Sequence, residues 1–357
     1  MSLSNDTGFA AAVWHGAGDI RIELRPRVPL RAGEVRLKVS LCGICGSDVH
    51  EFVDGPHAIP VNTPHAVSGE MAPLVIGHEF AGRVIEAAAD VDLAPGTRVA
   101  VEPGYRCGRC AACKRGEYNL CLSMGFAGLM GSGGMAEEAV LPSYMLHPLP
   151  DAVTDRQAAV LEPAAVALHA LRRGRVRAGD TVAVVGAGPI GLLIALLARV
   201  AGARRVIISD VSEGRLSMAR ELGVTETVNP GDGDLAAVAN GVDVAFEAVG
   251  MQTTLDSALA SVRKGGRVVF VGLCGGLVSI DGFDLVNREV EIIPAVGYRD
   301  VFQDLIGMIA SGHFDPSRIV TRETNLDKAV AEGFEHLTAG GHDVKILVNP
   351  SAKGELS

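Results

Sequence analysis

A chain of 357 residues is long enough for two separate cores at the usual domain size of roughly 100–200 residues. Hydrophobic residues make up 48% and charged residues 21%, the proportions of an ordinary globular protein and not of a disordered chain. The formal net charge is −10 and Lys and Arg form no long run, so a nucleic-acid groove is not expected.

No N-terminal stretch shows the basic, then apolar, then small-residue order of a secretory signal, and a cytoplasmic location is expected. The first part of the chain, to about residue 155, reads as β-rich, with short apolar stretches at 34–39, 82–87 and 98–101 broken by Gly and Pro. Residues 157–173 then form an Ala- and Leu-rich helical stretch. It ends in the densest basic cluster of the chain, Arg172, Arg173, Arg175 and Arg177, which reads as a solvated helix end, with a phosphate site as the alternative.

A regular alternation follows. Strands are expected at 181–185, 205–209, 242–247, 267–271 and 290–295, and helices at 190–201, 213–222 and 253–261. Strands that are apolar throughout, alternating with helices, predict a doubly wound parallel sheet covered on both faces. Residues 302–311 and 326–337 read as helices, and 344–348 as a last strand. The longest uncharged apolar stretch, 182–198, falls short of the about 20 residues of a bilayer span and contains Gly186, Gly188, Pro189 and Gly191, so no membrane segment is expected.

The 181–185 strand runs directly into Gly186-Ala187-Gly188-Pro189-Ile190-Gly191, which opens a helix. This is G-x-G-x-x-G in the context that motif requires. Gly186 permits a tight turn, Gly188 lets a pyrophosphate approach the backbone, and Gly191 lets helix and strand pack closely. The helix N-terminus supplies free N–H groups to the phosphates. Asp210 ends the next strand about 20 residues on, where an acid hydrogen-bonds the ribose of NAD and repels the 2′-phosphate of NADP. Arg215 lies near it and is the candidate for meeting a 2′-phosphate, or a solvated helix residue. A glycine-rich turn without cofactor is the plainer reading; NAD is the expected ligand.

The seven cysteines are an odd number, which argues against a disulfide framework. Cys107, Cys110, Cys113 and Cys121 follow C-x₂-C-x₂-C-x₇-C in a loop containing Gly108, Gly116 and Asn119. Four thiolates close a tetrahedral shell around Zn²⁺ and leave no open position, so this is a structural site. An iron–sulfur cluster is the rival occupant. Three further segments hold metal-type side chains: Cys42 to His50, Gly77-His78-Glu79, and Glu162-Pro163 ahead of His169. Singly each is weak, and Cys42 with Cys45 could equally be a redox pair.

Together, Gly43-Ile44-Cys45-Gly46-Ser47-Asp48, Gly77-His78-Glu79, the four-cysteine lobe and the glycine motif resemble the zinc-containing medium-chain dehydrogenase/reductase family, in its order and spacing over nearly the whole chain. The segment from Glu162 to His169 resembles its polyol, threonine and butanediol branches, which have Glu where ethanol-type members and glutathione-linked formaldehyde dehydrogenases have Cys. His50 to Pro56, with Ile59-Pro60 and Ser68-Gly69-Glu70, resembles (R,R)-2,3-butanediol dehydrogenases.

The resemblance implies an α/β protein: a GroES-like, β-rich catalytic domain over 1–157 with a zinc lobe at 104–122, a Rossmann cofactor domain over 158–297, and a return to the catalytic domain over 298–357. It implies two zinc ions, one structural and one catalytic, the second held by Cys45, His78 and Glu162. Glu79 borders that metal and enters its shell in some states, whereas Cys42 is a packed thiol. Ser47, the cofactor ribose and His50 would carry the proton to solvent, and Lys345 would meet the pyrophosphate. The implied reaction is NAD-linked oxidation of a secondary alcohol, a vicinal diol such as 2,3-butanediol, or reduction of acetoin. Sorbitol-type polyols and L-threonine are the alternative substrates, and a fold-retaining protein without catalysis is a different class of alternative. A homo-oligomer is expected, a tetramer before a dimer, with 290–295 as an edge strand that could pair between subunits.

Overall fold

The computed structural model describes residues 8–351. The outermost parts of the first and last expected segments, residues 1–7 and 352–357, lie outside the described residues. The chain divides into two units, one running to Glu162 and resuming at Val320, the other Pro163–Ile319.

The first unit is built on strands that alternate apolar and polar residues. In Glu34–Gly43, Val35, Leu37 and Val39 point into a core shared with Trp14, Phe80, Leu141 and Met145. The main sheet has seven strands. Its order is Leu146–Pro148, Arg98–Val101, Glu79–Ala87, Glu34–Gly43, Lys345–Asn349, Val320–Asn325, with Glu138–Pro142 also paired to Glu34–Gly43. A second sheet of three strands joins Asp19–Arg25, Phe9–Gly16 and Leu74–Val75. One register matters for function: the antiparallel pairing of Glu34–Gly43 with Glu79–Ala87 sets Gly43 opposite Glu79. The residues just beyond that pair, Cys45 on one side and His78 on the other, are thereby brought together.

The second unit holds a six-stranded sheet in the order Glu226–Val228, Arg205–Ser209, Thr181–Val185, Val242–Glu247, Val262–Phe270, Glu291–Pro294. Every pairing in it is parallel. Thr181–Val185 is buried at every position, as a strand covered on both faces must be. In chain order this is 3-2-1-4-5-6, the dinucleotide-binding arrangement, and the order reverses between Thr181–Val185 and Val242–Glu247. A ligand site is expected at the carboxyl ends of those two strands.

The helical stretch at 157–173 divides into Asp155–Ala158 and Leu161–Arg173. Pro163 explains the break: it has no N–H to continue a helix from behind, but that costs nothing in a first turn. The 326–337 segment is helical but irregular, a 3₁₀ turn at Leu326–Lys328 and then a π-helix at Ala329–Glu335. Gly333 there lies against Ile44, where an added Cβ would come 2.4 Å from Ile44 Cδ1. The chain rejoins the first unit at Val320, whereas residue 298 is the expected point. The start of Phe302–Ala310 is held in the second unit by Arg172, which donates to Asp300 O at 2.9 Å and to Asp304 Oδ2 at 2.6 Å.

Candidate active site and metal centres

Cys45 stands where the Glu34–Gly43 strand gives way to the Gly46–Asp54 helix, at that helix's N-cap. Its backbone N–H donates to Asp48 Oδ2 at 3.0 Å. His78 follows Gly77, whose φ of 90° suits glycine. An added Cβ at Gly77 would also lie 2.6 Å from Cys42 Sγ, so Cys42 is packing for this turn. The ligand atoms of Cys45, His78 and Glu79 all lie within 4.8 Å of one another. Ser47 Oγ is 3.4 Å from His78 Nε2. On the other face of the ring, Nδ1 is 3.3 Å from Asp48 Oδ1, an ion-pair contact lacking hydrogen-bond alignment.

The electrostatics favour a cation. Burial disfavours charge on His78, but the carboxylate of Asp48 and the thiolate of Cys45 outweigh it and hold the His78 pKa well above its ordinary value. A half-buried thiol, a buried imidazole and a buried carboxylate whose donor atoms lie this close together form a set that suits zinc. Asp48 then orients the ring from behind, as carboxylates do at zinc-bound histidines.

Two acids compete for the remaining place. Glu79 is in the compact group with Cys45 and His78, and Glu162 is not. Glu162 is buried in the first turn of Leu161–Arg173, and its charge acts on Lys345. Glu79, in turn, is engaged by Lys345, whose Nζ donates to both carboxylate oxygens at 2.8 and 2.7 Å and to Ile44 O at 2.9 Å. Lys345 is therefore buried beside the Cys45, His78 and Glu79 group, and its expected role at a pyrophosphate does not fit that position. His50 is exposed, its ring edge-on to His57 at 6.2 Å.

The four lobe cysteines also gather within 4.8 Å, and all seven cysteines of the chain are free thiols. Backbone N–H groups point at the sulfurs: Cys107 to Cys121 Sγ at 3.3 Å, Cys110 to Cys107 Sγ at 3.4 Å, Cys113 to Cys110 Sγ at 3.5 Å. The N–H groups of Cys113 and Leu122 pull the Cys110 pKa down to about 6. Burial and the neighbouring thiols push Cys113 up to about 12. Such a cluster sheds its first proton easily and resists losing the rest without a cation at its centre.

At the switch point of the parallel sheet, Gly186 turns with φ 101° and lies against Val249. A Cβ on Gly191 would fall 1.8 Å from Gly186 O, so only glycine lets the helix approach the strand. A Cβ on Gly188 would meet nothing within 4 Å. No packing in the protein requires glycine there, and a phosphate at the N-terminus of Pro189–Val200 would. Asp210 Oδ2 accepts from Ala187 N at 2.7 Å and Oδ1 from Ser212 N at 2.8 Å, which holds the carboxylate at this turn. Arg215 Nη1 stands 3.7 Å from Asp210 Oδ2.

Sequence reasoning did not find three supporting residues. These are Lys345 as the partner of Glu79, Asp48 behind His78, and Glu51. The buried Glu51 carboxylate accepts from the N–H groups of His57, Ala58 and Ile59, so it shapes the loop beyond the Gly46–Asp54 helix.

A parallel dinucleotide-type sheet, joined in one chain to a β-rich unit carrying two metal-ligand clusters, defines a metal-dependent dehydrogenase. Residues 31–151 match the alcohol dehydrogenase GroES-like domain and residues 189–311 the zinc-binding dehydrogenase domain. The chain is 40% identical over 349 residues to the (R,R)-butanediol dehydrogenase of Bacillus subtilis (strain 168), covering 96% of this chain and 99% of that one. It is 33% identical to the sorbitol dehydrogenase of the same organism, covering 98% and 100%. The crystal structure of 2R,3R-butanediol dehydrogenase from Bacillus subtilis superimposes with a TM-score of 0.91 at 39% identity, covering 96% and 100%. The chain belongs to the zinc-containing medium-chain alcohol dehydrogenase family.

Proposed function

We propose that the protein oxidises a vicinal diol such as 2,3-butanediol with NAD, and reduces acetoin in the reverse direction. The carrying observation is the meeting of Cys45, His78 and Glu79 around one point with Ser47 beside it. Zinc bound there supplies Lewis acidity that lowers the pKa of a substrate hydroxyl, and NAD bound at the glycine turn supplies the hydride acceptor. Cys45 and His78 hold the metal, with Glu162 or Glu79 completing the protein ligands. Ser47 Oγ takes the hydroxyl proton as it passes its own to the cofactor ribose, and His50, exposed three residues along the same helix, takes the proton from the ribose and releases it to solvent. Asp210 favours NAD by occupying the place of a 2′-phosphate.

Likeness to the butanediol dehydrogenase supports the diol. The sorbitol dehydrogenase likeness supports a polyol as the second reading. The test is a rate panel of 2,3-butanediol stereoisomers, sorbitol, xylitol and L-threonine, each with NAD and NADP. The highest kcat/KM is expected for (R,R)-butanediol with NAD; a higher value for sorbitol would move the assignment to polyols.

The same reading includes a cytoplasmic homo-oligomer. Free thiols throughout support a reducing compartment, and no helix among the described residues is long and apolar enough to cross a membrane. The exposed Leu273, Leu277, Phe283 and Val286 support coverage by a second copy. Light scattering would check the mass.

A further inference from the structure

The basic residues at the end of the Leu161–Arg173 helix have no part in the chemistry above. Arg172 and Arg173 close the helix, and Arg175 follows in a turn with φ 52°. The chain returns to them with Arg299, and the four guanidiniums line one open cavity of about 550 Å³ at the surface of the Pro163–Ile319 unit. Glu291 and Asp300 are the acids on its lining, so the wall carries four cationic side chains against two anionic ones. This local excess opposes the net charge of −10 on the whole chain.

The pairing within the cavity is uneven. Arg175 meets Glu291 at 2.5 Å, and Arg172 meets Asp304 at 2.6 Å. Arg173 pairs with no carboxylate among the described residues: its Nε and Nη2 reach the Pro294 carbonyl at 3.4 and 3.3 Å. This exposed planar fork of donors thus has one long, neutral contact within the protein. The buried His169 in the same wall senses the excess charge. Burial, and then Arg173, Arg299 and Arg172, push its pKa down to about 4, so its ring is neutral at pH 7.

We propose that this cavity is a binding site for a multivalent oxyanion, a phosphoryl or polycarboxylate compound, with Arg173 as its principal ligand. Guanidinium matches both groups bidentately, and binding one supplies the counter-charge that Arg173 lacks. The volume lies within the roughly 300–1,000 Å³ of small-molecule sites, which admits more than a single inorganic phosphate. The neutral His169 can donate one hydrogen bond to the anion.

The test uses the full chain with saturating NAD, so that the glycine turn is occupied. Pyrophosphate and citrate are titrated at constant ionic strength against KCl, by calorimetry and by thermal unfolding. The expected result is saturable binding with a rise in Tm of several degrees, and an affinity weakened by on the order of tenfold or more in Arg173→Gln. Preference for pyrophosphate or for citrate identifies the phosphoryl or the carboxylate source. Arg175→Gln, whose guanidinium already has a carboxylate, is expected to weaken binding less, which guards against a folding defect particular to Arg173→Gln. An effect reproduced by KCl, or binding unchanged in Arg173→Gln, overturns the site. Binding abolished by NAD assigns the anion to the glycine turn. No binding, with a smaller mass for Arg173→Gln in light scattering, assigns the arginines to a contact between copies of the chain; both results also overturn the proposal.

Discussion

The ammonium of Lys345 lies 2.7 Å from Glu79 Oε2, with both side chains almost wholly out of solvent. Glu79 is next to His78, a proposed metal ligand, so the charge beside the proposed metal centre is paired by a residue more than 260 positions along the chain. Removing one partner of a buried pair strands the other. Lys345→Met should therefore lower unfolding free energy by about 3–5 kcal/mol, read by urea denaturation. A change within about 0.5 kcal/mol, the range of an ordinary surface substitution, would show that the pair carries no such burden.

Glu162 and Glu79 can be separated by metal content. Glu162→Ala is expected to abolish turnover and lower zinc from about two to about one per chain, because an open catalytic site has three protein ligands. Zinc retained at the wild-type level, with activity intact, would remove Glu162 from the ligand set and leave Glu79 in it.

For Asp210→Ala, KM for NAD should rise and the preference over NADP should narrow by about tenfold or more. The nearby Arg215 would then be free to meet a 2′-phosphate. An unaltered ratio of the two kcat/KM values would count against a ribose role for Asp210.

His169 gives a pH signature. Its pKa is lowered to about 4 in the folded chain, below the ordinary value near 6.5. Between those values the unfolded chain binds a proton that the folded chain refuses, so stability is lost as pH falls through this window. His169→Gln should lose less Tm between pH 6.5 and pH 4 than the wild type. Parallel curves would place the acid sensitivity elsewhere.

Cys110→Ser should remove the second zinc and lower Tm while kcat per remaining catalytic zinc changes little, since four thiolates leave no position for substrate. Loss of turnover in step with catalytic zinc would show that the lobe supports the active site directly.

What the sequence made legible was local. Continuous apolar runs predict strands at 181–185, 205–209 and 242–247, and the structure has them at those bounds. The four lobe cysteines declare themselves by spacing because their sulfurs gather within one loop. The Phe9–Gly16 and Asp19–Arg25 hairpin escapes notice because three alanines dilute the first strand and charged residues crowd the second. Glu226–Val228 is too short to show a period, and Val320–Asn325 is mostly polar. At the site, neither the pairing of Lys345 with Glu79 nor the arrival of Arg299 beside Arg173 leaves any mark on local pattern. Both depend on which strands become neighbours.

The Lys345–Asn349 strand lies between Glu34–Gly43 and Val320–Asn325, inside the main sheet of the first unit. A ribosome delivers that strand after the other described strands of its sheet. The intervening unit, Pro163–Ile319, is complete in sequence before the earlier one can close. Newly made chains thus carry Cys45, His78 and Glu79 on an open sheet until the intervening unit has been made, and capture of a metal at the proposed centre follows the synthesis of that unit.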